Sequence, residues 1–202
     1  MCPKHVLFLG SGDDTEDSTT NVNADIIFLM DSSQTVSSEA YRKEKSFVKS
    51  IAKHLNVSPG KSRAALVTYG SSASVVYSFG NTRFDDSVDR ARFVSGARRL
   101  DLALQETSQL LTSARPSVPK LVVLLTAGNQ ASGSPSPDVA GRLVRTRGGK
   151  PFVIMIGREP DEDLFVNVVE KSTHLFKVPS FDGMHPYAGP LAKRIEENLK
   201  EG

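Results

Sequence analysis

Three stretches of this chain, ADIIFLMD (24–31), KLVVLLTAG (120–128) and KPFVIMIG (150–157), carry apolar residues in unbroken runs. A strand with one wet face alternates polar and apolar positions; a strand apolar at nearly every position is covered on both faces. Between the runs lie stretches with apolar residues at helical spacing. Tyr41, Phe47, Val48, Ile51 and Leu55 recur within SSEAYRKEKSFVKSIAKHL, with Lys and Glu between them. Leu100, Ala103, Leu104, Leu110 and Leu111 do the same within RLDLALQETSQLLTSA. Doubly buried strands alternating with amphipathic helices demand a mostly parallel sheet with helices on both sides.

The rest of the chain fits that plan. RAALVTYG and SVVYSFG are separated by only a few residues and read as an antiparallel hairpin, which puts one antiparallel strand at a sheet edge. FDDSVDRARFVS reads as a short helix or turn, DVAGRLVRTRG, DEDLFVNVVEKS and YAGPLAKRIEENLKE as helices, and HLFKVPSF as a strand. SGDDTEDSTTNVN (11–23) is polar without periodicity, so residues 1–23 read as a flexible leader and 24–202 as one domain. In open sheets of this class, ligands bind beyond the carboxyl ends of the strands, where the topology switches. Functional residues are therefore expected just after FLM, VLLT and VIMIG, and in the long loop GNQASGSPSPD.

Composition removes several alternatives. The 202 residues suffice for one domain with a sizeable core. With 25 Lys and Arg against 23 Asp and Glu, the net charge of +2 provides no global field to recruit nucleic acid. No apolar run approaches the ~20 residues that span a bilayer. The single cysteine, Cys2, leaves no internal disulfide and no multi-cysteine zinc site; it reads as a free thiol, with a bridge to another chain as the alternative. His5, His54, His174 and His185 lack ligand spacing, and Ser32 and Ser33 lack a nucleophile-elbow context. Gly10-Ser11-Gly12 is a poor dinucleotide-binding turn, with no third glycine and no helix after it. No enzymatic activity is expected.

Four segments in this order carry a resemblance to the von Willebrand factor A domain family: ADIIFLMDSSQTVSSEAYRKEKSFVKSIAKHL, SRAALVTYGSSASVVYSFG, ARRLDLAL and PKLVVLLTAGNQ. The resemblance runs from about Ala24 to Leu199. It is strongest toward the A domains of extracellular matrix proteins such as type VI collagen and matrilins. It implies a doubly wound, Rossmann-like α/β fold with a mostly parallel six-stranded sheet, one antiparallel edge strand and helices on both faces. It also implies a secreted fragment of a larger matrix protein that acts in protein binding and assembly. The implied partners are collagen or other chains carrying such domains, without nucleic acid or membrane. Two alternatives stay open: a Mg²⁺- or Mn²⁺-dependent adhesion domain that binds a partner's carboxylate, and an intracellular scaffold.

The family's metal-ion-dependent adhesion site combines Asp-x-Ser-x-Ser after the first strand, a Thr before a later helix and an Asp after the central strand. Asp31, Ser33 and Thr35 match the first element, because Thr still offers a hydroxyl. The Thr position falls on Arg98 and the second Asp position on Ala127. An arginine has five donors and no acceptor, so it cannot ligate a metal. Like charges ~4 Å apart at an effective dielectric near 20 cost on the order of 4 kcal/mol. The resemblance thus implies a degenerate site, with no cofactor expected and at most weak Mg²⁺ or Mn²⁺. Arg98 pairing with Asp31 in the cation's stead is one reading; Asp31 and Ser33 merely capping the first helix and its loop, with Arg98 in solvent, is the other. Arg98, Arg99, Asn129 and Gln130 are candidates for partner contact. Basic residues also cluster at Arg90, Arg92, Arg98 and Arg99, beside the degenerate site if the resemblance holds, and again at Arg142, Arg145, Arg147 and Lys150; such a patch suits an acidic partner, a sulfated glycan or a mineral-associated matrix protein, and a merely solvated helix face is the equal alternative.

Overall fold

The computed structural model describes residues 7–8, 19–80 and 83–201. Seven strands, β1 (Leu7–Phe8), β2 (Asp25–Asp31), β3 (Arg63–Tyr69), β4 (Ala73–Gly80), β5 (Lys120–Thr126), β6 (Gly149–Ile156) and β7 (Leu175–Val178), form one sheet in the order β1-β7-β6-β5-β2-β3-β4. Every pairing is parallel except β3 with β4, the expected hairpin, whose second strand lies at the edge. Among the described residues the α-helices are α1 (Ser38–His54), α2 (Phe84–Arg90), α3 (Leu100–Leu110), α4 (Asp138–Thr146), α5 (Glu162–Val166) and, after the last strand, α6 (Ala188–Lys200).

The unbroken apolar runs have the cause expected of them. On one face Ile26, Phe28 and Met30 pack with Tyr41, Phe47 and Ile51 of α1 and with Leu191 and Ile195 of α6. On the other, Ile27 and Leu29 pack with Leu100, Ala103 and Leu104 of α3 and with Val144 of α4. Successive residues of a strand point to opposite faces, so β2 must be apolar throughout. At about 25 cal/mol per Å² of apolar surface removed from water, these two layers supply the main driving force for folding.

Packing extends ahead of Ala24: Thr20 donates through its amide and its hydroxyl to the His54 carbonyl, each at 2.8 Å, and Val22 is buried. Leu7–Phe8 adds a two-residue strand beside β7 to the six strands expected. Cys2, His5 and Gly10-Ser11-Gly12 lie outside the described residues. The helix expected over DEDLFVNVVEKS extends only from Glu162 to Val166.

The chain leaves β2 for β3 on one side, then returns to build β5, β6 and β7 on the other. The crevice between the carboxyl ends of β2 and β5 is therefore the topological switch point. Asp31 ends β2, and Ala127 follows β5.

Candidate functional site

The Asp31 side chain is fully buried at that crevice. Its Oδ1 accepts from the Ser33 amide at 3.0 Å. Its Oδ2 accepts from the Ala127 amide at 3.0 Å and from Arg98 Nε at 2.7 Å. Arg98 also donates through Nη2 to the Thr35 hydroxyl and through Nη1 to the Asn129 carbonyl at 3.4 Å. Only 9% of the Arg98 side chain is exposed, so it lies inside the crevice and not in solvent. Charge-assisted bonds of this kind are about twice as strong as neutral ones.

Two close approaches hold the guanidinium there. The loop before α3 is stitched to the end of β2: Ser95 donates to the Ser32 carbonyl at 2.7 Å, and Gln34 to the Gly96 carbonyl at 2.8 Å. That stitching presses Ser95 onto Gly70, where a Cβ would stand 2.2 Å from the Ser95 carbonyl oxygen. Gly128 leaves the room that Arg98 fills, since a Cβ there would stand 2.3 Å from Arg98 Nη1. A side chain at either position would shift the loop or eject the guanidinium.

Helix α1 is capped by Ser37, whose hydroxyl accepts from the Ala40 amide at 3.0 Å. Asp31 therefore does not cap that helix, which corrects that part of the capping reading, but it does cap its own loop through the Ser33 amide. Beneath Asp31 lies a residue that sequence reasoning passed over. Glu44 of α1 is fully buried; its Oε1 accepts from the Asp31 amide at 2.8 Å, and its Oε2 has no partner among the described residues. Burial, reinforced by the negative charge of Asp31, pushes the Glu44 carboxyl well above the ordinary carboxylic-acid range. The signal was available: Glu44 lies three residues after Tyr41 and three before Phe47, on the apolar stripe of α1.

The other candidates are engaged within the protein. Arg99 forms a two-pronged pair with Asp101, at 2.8 and 2.7 Å. Gln130 accepts from the Leu100 amide at 2.7 Å and donates to Asp101 at 2.5 Å and to the Pro135 carbonyl at 2.9 Å. It thereby caps α3, whose N-cap residue Arg99 makes no side-chain cap. Burial would raise the Asp101 carboxyl, but the bonds from Arg99 and Gln130 outweigh it and hold the group below its usual range. Asn129 Oδ1 accepts from the Asp161 amide at 2.7 Å, tying the loop after β5 to the one after β6. Arg98, Asn129 and Gln130 are thus brought together, whereas the cluster at Arg142, Arg145, Arg147 and Lys150 follows α4 toward the other end of the sheet.

The family model described as von Willebrand factor type A domain matches residues 25–187. The chain belongs to the von Willebrand factor type A family. Among its relatives, cuticlin-6 of Caenorhabditis elegans is 28% identical over 168 residues, covering 81% of this chain and 29% of that protein. Matrilin-2 of Mus musculus is 29% identical over 153 residues, covering 70% of this chain and 16% of its own length. The A domain thus spans less than a third of either relative. Proximal thread matrix protein 1 from the mussel byssus superposes with a TM-score of 0.81 at 17% identity, over 88% of this chain and 49% of that one. A further structure of that mussel protein, at TM-score 0.77 and 24% identity over 87% of this chain and 46% of that one, has a zinc-occupied adhesion motif.

The residues present here do not fit such an ion while Arg98 stands in the crevice. Among the described residues Asp31 is the one carboxylate bonded to the guanidinium, and its Oδ2 is taken by Arg98 and Ala127. Among the described residues no group of three or more His, Cys, Asp and Glu is arranged to hold a metal. A hard divalent cation needs several oxygen ligands, and a guanidinium repels it.

Proposed function

We propose that this A domain is a non-enzymatic protein-interaction module of a larger extracellular matrix protein, and that it works without a metal ion because Arg98 takes the cation's role. The observation that carries this reading is the buried Arg98–Asp31 pair at 2.7 Å, with Thr35 bonded to the same guanidinium. In the intact family site a cation neutralises the aspartate and fixes the hydroxyl-bearing loop. Here a covalently attached cation has both tasks, so the loop is ordered whatever the ion concentration. Membership of a family with matrix-type relatives supports the extracellular assignment. Collagen or another chain carrying an A domain is the partner class for this end of the sheet. Among the described residues no helix is long and apolar enough to cross a membrane.

Calorimetric titration with Mg²⁺ and Mn²⁺ after chelator treatment tests the reading. The expected result is no heat and no change in melting temperature. Micromolar binding would overturn it in favour of the metal-dependent adhesion domain, the reading that the retained Asp31, Ser33 and Thr35 favour. The double variant Arg98→Thr with Ala127→Asp restores the family's ligand types and is expected to gain Mg²⁺ affinity. A variant that folds yet binds no ion would refute the placement of those two positions in the site.

A further inference from the structure

We infer that the opposite end of the sheet is a second binding surface, which takes a linear sulfated glycan. Three segments meet there: 55–63 leading into β3, 107–120 leading into β5, and 142–150 leading into β6. They carry Lys61, Arg63, Arg115, Lys120, Arg142, Arg145, Arg147 and Lys150, and no acidic residue. The carboxylates beside them are Asp25 at the start of β2, whose side chain is wholly buried, and the exposed Glu170 in the segment leading into β7. Asp25 and Asp31 are the two ends of β2, about 20 Å apart at the rise of a strand.

The chemistry separates cations the fold uses from cations it does not. Arg63 grips Asp25 through Nε at 3.0 Å and Nη2 at 2.6 Å. Arg115 binds the same carboxylate through its amide at 2.6 Å and Nε at 2.8 Å, and reaches the carbonyls of Ala24 at 3.1 Å and Lys61 at 3.3 Å. Arg147 donates to the Ser108 carbonyl at 2.5 Å, at the end of α3. These three hold the strand starts and helix ends together. Two arginines on one carboxylate leave a net positive charge, and both side chains keep 27–30% of their surface exposed. The side chains of Lys61, Lys120 and Lys150 make no bond among the described residues, so folding gives no account of them. Together the groups cross four adjacent strands, β3, β2, β5 and β6, a row about 14 Å long.

A row of exposed and half-exposed cations braced by an arginine pair suits an extended polyanion, because the bonded arginines lose little side-chain freedom on binding. The three segments contain no aromatic residue, so nothing there stacks on a nucleic-acid base. That favours a sulfated sugar chain, recognised through charge alone. This surface acts independently of whatever the Arg98 end binds.

The test is binding of the purified domain to immobilised heparin across a salt series, with desulfated heparin and duplex DNA as competitors. Expected are affinity that falls steeply with salt, as counterion release requires, and no competition from the desulfated chain. Lys61→Ala, Lys120→Ala and Lys150→Ala combined are expected to weaken binding about tenfold at low salt, whereas Arg90→Ala with Arg92→Ala at the other end changes nothing. Should the triple variant melt lower than the parent, the Lys61/Lys150 pair, with Lys120 intact, is expected to give about a threefold loss. Undiminished binding by these variants, equal loss in the Arg90/Arg92 control, or competition by DNA as effective as that by heparin would each overturn the assignment.

Discussion

Replacing Arg98 by methionine is the sharpest perturbation of the crevice. The aliphatic stem and most of the volume stay, while the charge and three hydrogen-bond contacts go. Asp31 keeps only the Ser33 and Ala127 amides as partners, with its side chain still fully buried. Removing one member of a buried ion pair costs about 3–5 kcal/mol, because the remaining charge is neither solvated nor compensated. For a domain whose total stability is of the order of 5–15 kcal/mol, that is a large share. At about 2–4 °C per kcal/mol for a chain of this size, the melting temperature should fall by roughly 6–20 °C. Urea unfolding followed by circular dichroism measures the loss directly. Arg98→Lys keeps the charge but not the fork and should fall between the two. The double variant Asp31→Ala with Arg98→Met should be more stable than Arg98→Met alone, since the orphaned carboxylate is gone. A loss below about 1 kcal/mol for Arg98→Met, or double-variant losses that simply add, would refute the claim that the pair is an energetically coupled unit.

Three further outcomes follow from the same geometry. The Glu44 carboxyl is raised when folded, so the unfolded chain releases its proton first and stability falls as pH rises above the ordinary carboxylic-acid range, by up to ~1.4 kcal/mol per unit. Glu44→Gln keeps the bond to the Asp31 amide and should abolish that slope in urea midpoints between pH 5 and 8; identical slopes in parent and variant would contradict it. At the other end, burial would raise the Asp25 carboxyl, but Arg63 and Arg115 hold it below its usual range, so its contribution is present above that range and is lost as pH falls through the lowered value. Asp25→Asn should therefore cost about 2–4 kcal/mol near neutrality, discounted for the partly exposed arginines, and lessen the drop in stability at acid pH in thermal melts. Gly128→Ala drives a Cβ into the guanidinium and should cost about 1–3 kcal/mol in the Arg98 protein but almost nothing in Arg98→Met, which thermal melts of the four combinations would reveal.

The layout of the domain was legible because it rests on periodicity. Unbroken apolar runs such as IIFLM and LVVLL have one physical solution, burial on both faces, and the helices between them declare their inner stripe by spacing. The short link between β3 and β4 declared the hairpin. Less legible was where packing starts. The Thr20 contact is made to a helix end 34 residues away, and no local pattern encodes it. The shortness of α5 was also hidden, since Val168 and Val169 keep the apolar rhythm after the helix has ended.

Sequence alone determined that Asp31, Ser33 and Thr35 follow the first central strand, and that an arginine and an alanine stand where the resemblance expects oxygen ligands. Tertiary structure decided what those substitutions do. It placed Arg98 in the crevice, gave it Asp31 and Thr35 as partners, and turned Arg99 and Gln130 inward to Asp101. It also set Glu44 beneath the site and gathered basic residues from three separate segments at the far end of the sheet. The reason is physical. Burial and helical or strand period are local properties that a chain carries along its length. An ion pair 67 residues apart in sequence exists only once the topology brings its members together, and its strength depends on how much water the surrounding packing removes.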